Sequence, residues 1–368
     1  MNGPWAEARR LLVMRLDNIG DVVMTAPVLR TLKENLPEAS ITLMTSPGGK
    51  EAAPLLPWVD EVLPWRVLWQ DLGRLPHDPA RERELIETLR EGSYDAAIIL
   101  TSFKQTPHPA GYACYLAGIP LRLGESKEWG GGVLTDEAPS APDDLHQVER
   151  NLRLIEHADF CVEDRSLSVH VPPAARRASN ELLEERGVTS DTPYVLLNPW
   201  ASAQARTYPS ARFALAARRL SEETGWPVVV SGTGTDRGRS GGLLDVLGGR
   251  GVDLVGATGL SELAALVEGA RLVLTNNTST MHLLDALRTP GVVLFSGTEL
   301  EEQWRPRHTT HRLLRRETTC SPCYAFTCPY NLECLDIPPD EVAEASLSLL
   351  AEAGERPAAS SQREGTRA

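Results

Sequence analysis

No apolar run in this 368-residue chain approaches the ~18 residues that would cross a bilayer. The richest, at 96–100 and 228–230, are the size of single strands. Arg9 and Arg10 are followed only by Leu11, Leu12, Val13 and Met14 before Arg15, too short a stretch for a secretory leader. The expectation is therefore a cytoplasmic protein. A basic surplus is also missing: 37 Lys and Arg face 50 Asp and Glu, for a net charge of −13. That excludes a nucleic-acid partner held by counterion release, while leaving room for one local basic pocket. Cysteine is scarce, with 6 residues, so no disulfide scaffold holds the chain.

What is present is alternation. Strand-sized apolar runs fall at 11–16, 41–45, 59–63, 96–100 and 121–123, with helical patterns at 20–36, 82–90, 110–117 and 146–160 between and after them. Pro172 and Pro173 follow a short run at 167–171 and mark a join. The pattern then restarts, with strands at 194–197, 228–231, 252–255, 272–275 and 292–295. Helices at 210–223, 243–247, 261–269 and 281–287 separate them. Strands joined by helical crossovers must run parallel, so the expectation is α/β, with two doubly wound parallel-sheet domains facing a cleft. The boundaries are 1–172 and 173–355, followed by a disordered Ala/Ser/Gln/Arg-rich tail at 356–368. Ligands of such sheets sit beyond the carboxyl ends of strands, which directs attention to the strand-to-helix loops.

Four of these loops carry candidate chemistry. The first strand empties into Asp17-Asn18-Ile19-Gly20-Asp21, where Gly20 permits a tight turn or a close approach. Asp21 falls in the first helical turn, a place suited to a general base at the cleft and equally to a helix cap. In the loop 198–209, Ser202 and Arg206 sit beside a helix N-terminus. A hydroxyl, a guanidinium and orphan amides make a diphosphate site that needs no metal, against the plainer reading of a solvated arginine. The run Asn276-Asn277-Thr278-Ser279-Thr280-Met281-His282 is polar apart from Met281, yet lies between an apolar strand and an apolar helix. That junction suits phosphate oxygens on backbone amides. His282 is read either as a packed or capping histidine or as part of the site. The turn Gly232-Thr233-Gly234-Thr235-Asp236-Arg237-Gly238 tempts a dinucleotide reading, but Arg237 stands where the third glycine belongs. Asp236 is the residue there able to reach a nucleotide ribose.

Cys320, Cys323, Cys328 and Cys334, spaced C-x2-C-x4-C-x5-C, are open to three readings: a zinc or redox-cluster site, reduced thiols, or disulfides stapling the loop.

Taken together, Arg15-Leu16-Asp17-Asn18-Ile19-Gly20-Asp21-Val22-Val23, the 198–209 loop, 275–290, Gln303-Trp304-Arg305-Pro306 and 320–337 resemble glycosyltransferase family 9, the ADP-heptose:lipopolysaccharide heptosyltransferases and their relatives. The resemblance spans both halves and rests on the order of the motifs. It implies a GT-B fold of two Rossmann-like domains, the first receiving a glycan or glycolipid acceptor and the second a nucleotide-sugar donor, ADP-linked by first choice. It implies Asp21 as the base, and Ser202 and Arg206 on the donor diphosphate. The contacts Gly20, Asp236, Asn277, Thr278, Ser279, Thr280, Met281 and His282 complete the expected binding set. No cofactor is implied, and the reaction is an inverting transfer without metal, with heptose as the best guess.

The chain departs from the family pattern at Arg206 for the usual Lys, at Tyr208 for Trp, and at Asn277-Thr278-Ser279 for Asp-Thr-Gly or Asp-Ser-Gly. The family's lipid-anchored acceptor implies peripheral contact with the inner membrane, for which Trp58, Trp65 and Trp69 are candidates, or else packing groups. Two alternatives stand beside this reading: an NAD-dependent oxidoreductase on the same α/β halves, and a non-catalytic nucleotide-sugar binding module.

Overall fold

Strand β1 (Arg10–Arg15) is the centre of the first half, and all its residues after Arg10 are buried. A strand covered on both faces needs an apolar run rather than an alternation, which is why Leu11-Leu12-Val13-Met14 forms it. In the computed structural model, which describes residues 3–354, β1 pairs in parallel with β2 (Ser40–Thr45) on one side and, across a crossover, with β4 (Ala96–Ile99) on the other. Adding β3 (Glu61–Pro64), β5 (Leu121–Ser126) and β6 (Asp136–Pro139) gives a six-stranded sheet in the order β3-β2-β1-β4-β5-β6.

The second half repeats this plan with β7 (Val195–Asn198), β8 (Val228–Gly232), β9 (Gly251–Val255), β10 (Leu272–Asn276), β11 (Gly291–Leu294) and β12 (His311–Leu314). Its order, β12-β11-β10-β7-β8-β9, is the same winding. All pairings are parallel, and helices flank both sheets. The two α/β sheets expected from the alternation are present. In each, the strand order reverses beside the first strand, between β1 and β4 and between β7 and β10. A crevice opens at such switch points beyond the carboxyl ends.

Some elements differ from expectation. The helix expected over 20–36 is two, Ile19–Val23 and Ala26–Asn35. Pro27 has no amide to donate to Val23, and it disfavours helical geometry at Ala26. The Thr25 hydroxyl instead closes the break on the Val22 carbonyl at 2.6 Å. Edge strands β6 and β12 and the helices Pro173–Glu184 and Pro339–Gly354 were not anticipated. The expected tail at 356–368 lies outside the described residues. Among the described residues, no helix is long and apolar enough to cross a membrane.

The halves meet in packed contacts. One apolar core contains Leu11 and Val13 of β1, Leu183 of the linking helix and Val273 of β10. Helix Ile19–Val23 lies on helix Ser279–Ala286, and Gly20 is the point of closest approach. A Cβ there would stand 2.8 Å from His282 Cδ2 and 3.4 Å from Ser279 Cα. Gly20 is expected to admit a ligand or a tight turn; the group packed against it is instead the protein's own opposite half. Farther along, His146 bonds the Arg305 carbonyl at 3.0 Å and Arg307 pairs with Glu149.

Gly20→Ala should overpack this seam. The expected loss is about 1–3 kcal/mol, read as a lower denaturation midpoint in urea. An unchanged midpoint would mean the halves do not touch at Gly20.

Candidate functional site

The two switch points face one another across a cleft of about 1350 Å³. On the first-half wall, Arg15 ends β1 with its side chain fully buried. Burial works against its charge, but Asp17 and Asp21 more than compensate, and its proton is held above the ordinary arginine level. Arg15 Nε lies 3.0 Å from Asp17 Oδ2, and Nη2 donates at 2.7 Å to both Asp21 Oδ1 and Ser102 Oγ. Burial pushes the Asp17 carboxyl up despite Arg15, and the Gln105 amide donates to its other oxygen. Asp21 Oδ2 accepts the Asn18 amide at 3.3 Å. Asp21 therefore caps the helix end and borders the cleft. One oxygen is steered by Arg15, the other sits weakly on the helix end, and the group borders the cleft.

The second-half wall is built around β10. Asn276 is fully buried, accepting the Tyr208 amide at 2.9 Å and donating to the Pro199 carbonyl at 2.8 Å. It pins the 199–208 loop beside its own strand. The cysteine-bearing loop supports the same turn from outside. Ala205 donates its amide to the Phe326 carbonyl at 3.0 Å, and the Cys328 amide donates to Gln204 at 2.9 Å. Ser202 and Arg206 are thereby delivered to the cleft. Arg206 is under-employed there: its Nε is buried without a partner, and its nearest carboxylate, Glu299, stands 3.6 Å from Nη1. An unsatisfied buried guanidinium N–H is costly, and an anion entering the cleft beside Arg206 would relieve it.

Beside Arg206, Thr278 precedes helix Ser279–Ala286 with no side-chain cap, leaving first-turn amides for a ligand or water. Thr280 and Met281 are each only 1% exposed as whole residues. The Met281 amide already donates to the Thr278 carbonyl at 3.0 Å. His282 is buried against Gly20, near Trp304. Burial pushes it down to about 4; Asp21 and Asp285 pull upward, and Arg206 adds to the downward push. The imidazole is neutral at pH 7 and lies between the Asp21 and Arg206 charges.

Every residue of the expected base and binding set borders this cleft: Gly20, Asp21, Ser202, Arg206, Asp236, Asn277, Thr278, Ser279, Thr280, Met281 and His282. They differ in what they still have to give. Asp236 Oδ2 accepts the Thr233 amide and hydroxyl at 2.7 Å each, and Oδ1 accepts from Arg239. Burial opposes ionisation of Asp236, but these donors outweigh it and hold the carboxyl below its usual range. Asn277 is 3% exposed and accepts from the Ser296 amide at 3.2 Å. Sequence reasoning missed Glu299, which borders the cleft from the loop after β11. No motif spacing announces it. Burial pushes its carboxyl up, against the pull of Arg206.

Among the described residues the six cysteines are free, and no group of three or more His, Cys, Asp or Glu is arranged to hold a metal ion. The disulfide reading of Cys320–Cys334 is thus not what the structure shows. Trp58, Trp65 and Trp69 are partly buried packing groups, with Arg30 over Trp58 and Arg81 over Trp65.

A family model described as glycosyltransferase family 9 (heptosyltransferase) matches residues 82–333. The chain is 27% identical to lipopolysaccharide heptosyltransferase 2 of Salmonella typhimurium, over 94% of this chain and 99% of that protein. Among solved structures, the ADP-heptose lps heptosyltransferase II of E. coli superposes with a TM-score of 0.72 at 25% identity, covering 94% of this chain and 99% of the other. A family 9 glycosyltransferase from Veillonella parvula shares the fold, with a TM-score of 0.75 at 19% identity, over 94% and 97%.

One buried histidine, His282, and one half-buried histidine, His146, make a pH prediction. His146, like His282, is pushed down to about 4, mainly by burial and then by Arg307. An unfolded histidine titrates near ~6.5, so between about 6.5 and 4 the unfolded chain binds protons the folded one refuses. Stability should be at its plateau above that window and fall as pH drops through it, by up to about 3 kcal/mol per histidine. Melting curves from pH 7.5 to 4.5 should show a steeper fall for the wild type than for His146→Gln. Parallel profiles would contradict it.

Proposed function

The chain belongs to glycosyltransferase family 9, and on that premise we propose that it moves heptose from ADP-heptose to a lipopolysaccharide-core-like glycan, with inversion and without metal. The first half, 1–172, takes the acceptor and the second, 173–355, the donor. The observation that carries this reading is the opposition across one cleft of a carboxylate, Asp21, and a guanidinium with a partnerless buried N–H, Arg206. The named relatives support the donor: one solved structure is described as an ADP-heptose enzyme.

In this reading the diphosphate lies on Arg206, Ser202 and the first-turn amides after Thr278. The acceptor hydroxyl enters beside Asp21. Its oxygen attacks the anomeric carbon as the bond from that carbon to the diphosphate oxygen breaks. The electron pair leaves on the diphosphate, and the hydroxyl proton passes to Asp21. Negative charge grows on the leaving group during this step, so Arg206 and the amides bind the transition state more tightly than the ground state. Arg15 holds one Asp21 oxygen in place, leaving the carboxylate aimed rather than mobile. The neutral His282 adds no competing cation beside the base. Asp236 and the Thr233–Asp236 turn border the nucleoside end, and the acceptor's lipid anchor brings the enzyme to the cytoplasmic face of a membrane.

A melting-temperature screen against ADP-, UDP-, GDP- and TDP-linked sugars tests the donor. A ligand at about 100 times its Kd stabilises by ~2.7 kcal/mol, and ADP-heptose should give the largest shift. A larger shift with another base would overturn the adenine assignment. For the base, Asp21→Asn should lower kcat by ~10²–10⁴ while leaving the Kd for ADP within about twofold. Release of ADP in the presence of purified lipid acceptor is the readout, and it also separates a transferase from a binding module. Near-normal turnover in the folded variant would remove Asp21 from the role.

A further inference from the structure

Five carboxylates border the cleft: Asp17, Asp21, Glu51, Asp236 and Glu299. Asp17 is taken by Arg15 and Gln105, Asp21 by Arg15, and Asp236 by Thr233 and Arg239, while Glu51 is exposed to solvent. Glu299 is different. It is partly buried, and its oxygens have only two neighbours at the outer edge of useful distance: the Asn277 amide at 3.4 Å and Arg206 Nη1 at 3.6 Å. A carboxylate offers about four acceptor sites. Most of those on Glu299 are not used by protein groups within hydrogen-bond distance.

Asn277 explains how such a group is tolerated. Its Oδ1 accepts from the Ser296 amide at 3.2 Å and the Ser296 hydroxyl at 3.3 Å, which turns its NH₂ toward Glu299. A carboxylate at position 277 would satisfy Ser296 equally but would set two anions 3.4 Å apart. The amide is therefore a spacer that keeps Glu299 single. Burial pushes the Glu299 carboxyl up, so it gains when hydroxyl donors arrive.

We propose that Glu299 is the specificity-determining carboxylate of the donor subsite, accepting hydrogen bonds from hydroxyls of a neutral sugar whose diphosphate lies on Arg206. The proposal rests on the donor-site reading above. It selects against sugars that carry their own carboxylate, since two anions would share the pocket.

The test compares ADP with ADP-heptose on the wild type and on Glu299→Gln by titration calorimetry and steady-state kinetics. Hydrogen bonds to a charged acceptor imply that Glu299→Gln weakens ADP-heptose and lowers its kcat/KM by about 10- to 100-fold. The Kd for ADP, which lacks the sugar, should stay within about twofold and serves as the control for folding. Equal losses for both ligands would overturn the proposal and make Glu299 a positioning residue for Arg206. No change for either would also overturn it, as would a wild type that binds ADP-heptose no better than ADP. A wild type that binds neither ligand would instead sink the donor-site reading itself.

Discussion

Arg15 is the constraint on which the first half of the site depends. A guanidinium with no exposed side-chain surface must be compensated, and here the compensation is two carboxylates set on either side of it. Removing one partner of such a buried pair leaves a stranded charge, worth about 3–5 kcal/mol. The consequence runs outward. Because β1 ends on Arg15, the loop after it must return Asp17 and Asp21 to the same guanidinium. That fixes the start of helix Ile19–Val23, and with it the face that Gly20 turns to His282. One ion cluster thus sets the position of the cleft carboxylate and the docking of one half on the other.

The second half reaches its cleft by neutral means. Asn276, buried at the end of β10, replaces the ion cluster with two amide bonds that hold the 199–208 loop. The arrangement leaves Arg206 without full compensation. Arg15 also keeps a buried nitrogen without a partner, but two carboxylates stand 3.0 and 2.7 Å from it, whereas Arg206 has only Glu299 at 3.6 Å, and that difference in charge compensation separates a structural cation from one open to an anionic ligand. Both arginines lie at the reversal of strand order in their sheets, where parallel winding opens a crevice whatever the side chains are.

The architecture was legible in the sequence because central parallel strands are buried on both faces and read as unbroken apolar runs, as at Leu11–Met14 and Val228–Val230. Two of the four edge strands escape that logic. Asp136-Glu137-Ala138-Pro139 and His311-Arg312-Leu313-Leu314 are short and partly exposed, and nothing in their composition demands a strand. The motif loops were legible because glycine, hydroxyl and charged residues are unusual between an apolar strand and an apolar helix. Their division of labour was not. Thr280 and Met281 look like open ligand contacts in a list of letters, yet both are almost wholly buried at the cleft edge, Met281 within the apolar core. Glu299 was illegible for the opposite reason. It follows β11, while Arg206 follows β7 and Asn277 follows β10, and the pairing of β10 with both β7 and β11 brings the three together.

The account's central claim is that a sugar diphosphate lodges on the second half with its reacting carbon turned to the first. The most direct measurement is a crystal structure of the protein with ADP-heptose, or with a non-transferable fluoro analogue. The account predicts phosphate oxygens on Arg206 and on the amides at the start of helix Ser279–Ala286, with the anomeric carbon facing Asp21 across the cleft. A nucleotide seated on the Arg15 side, or a sugar directed away from Asp21, would contradict it.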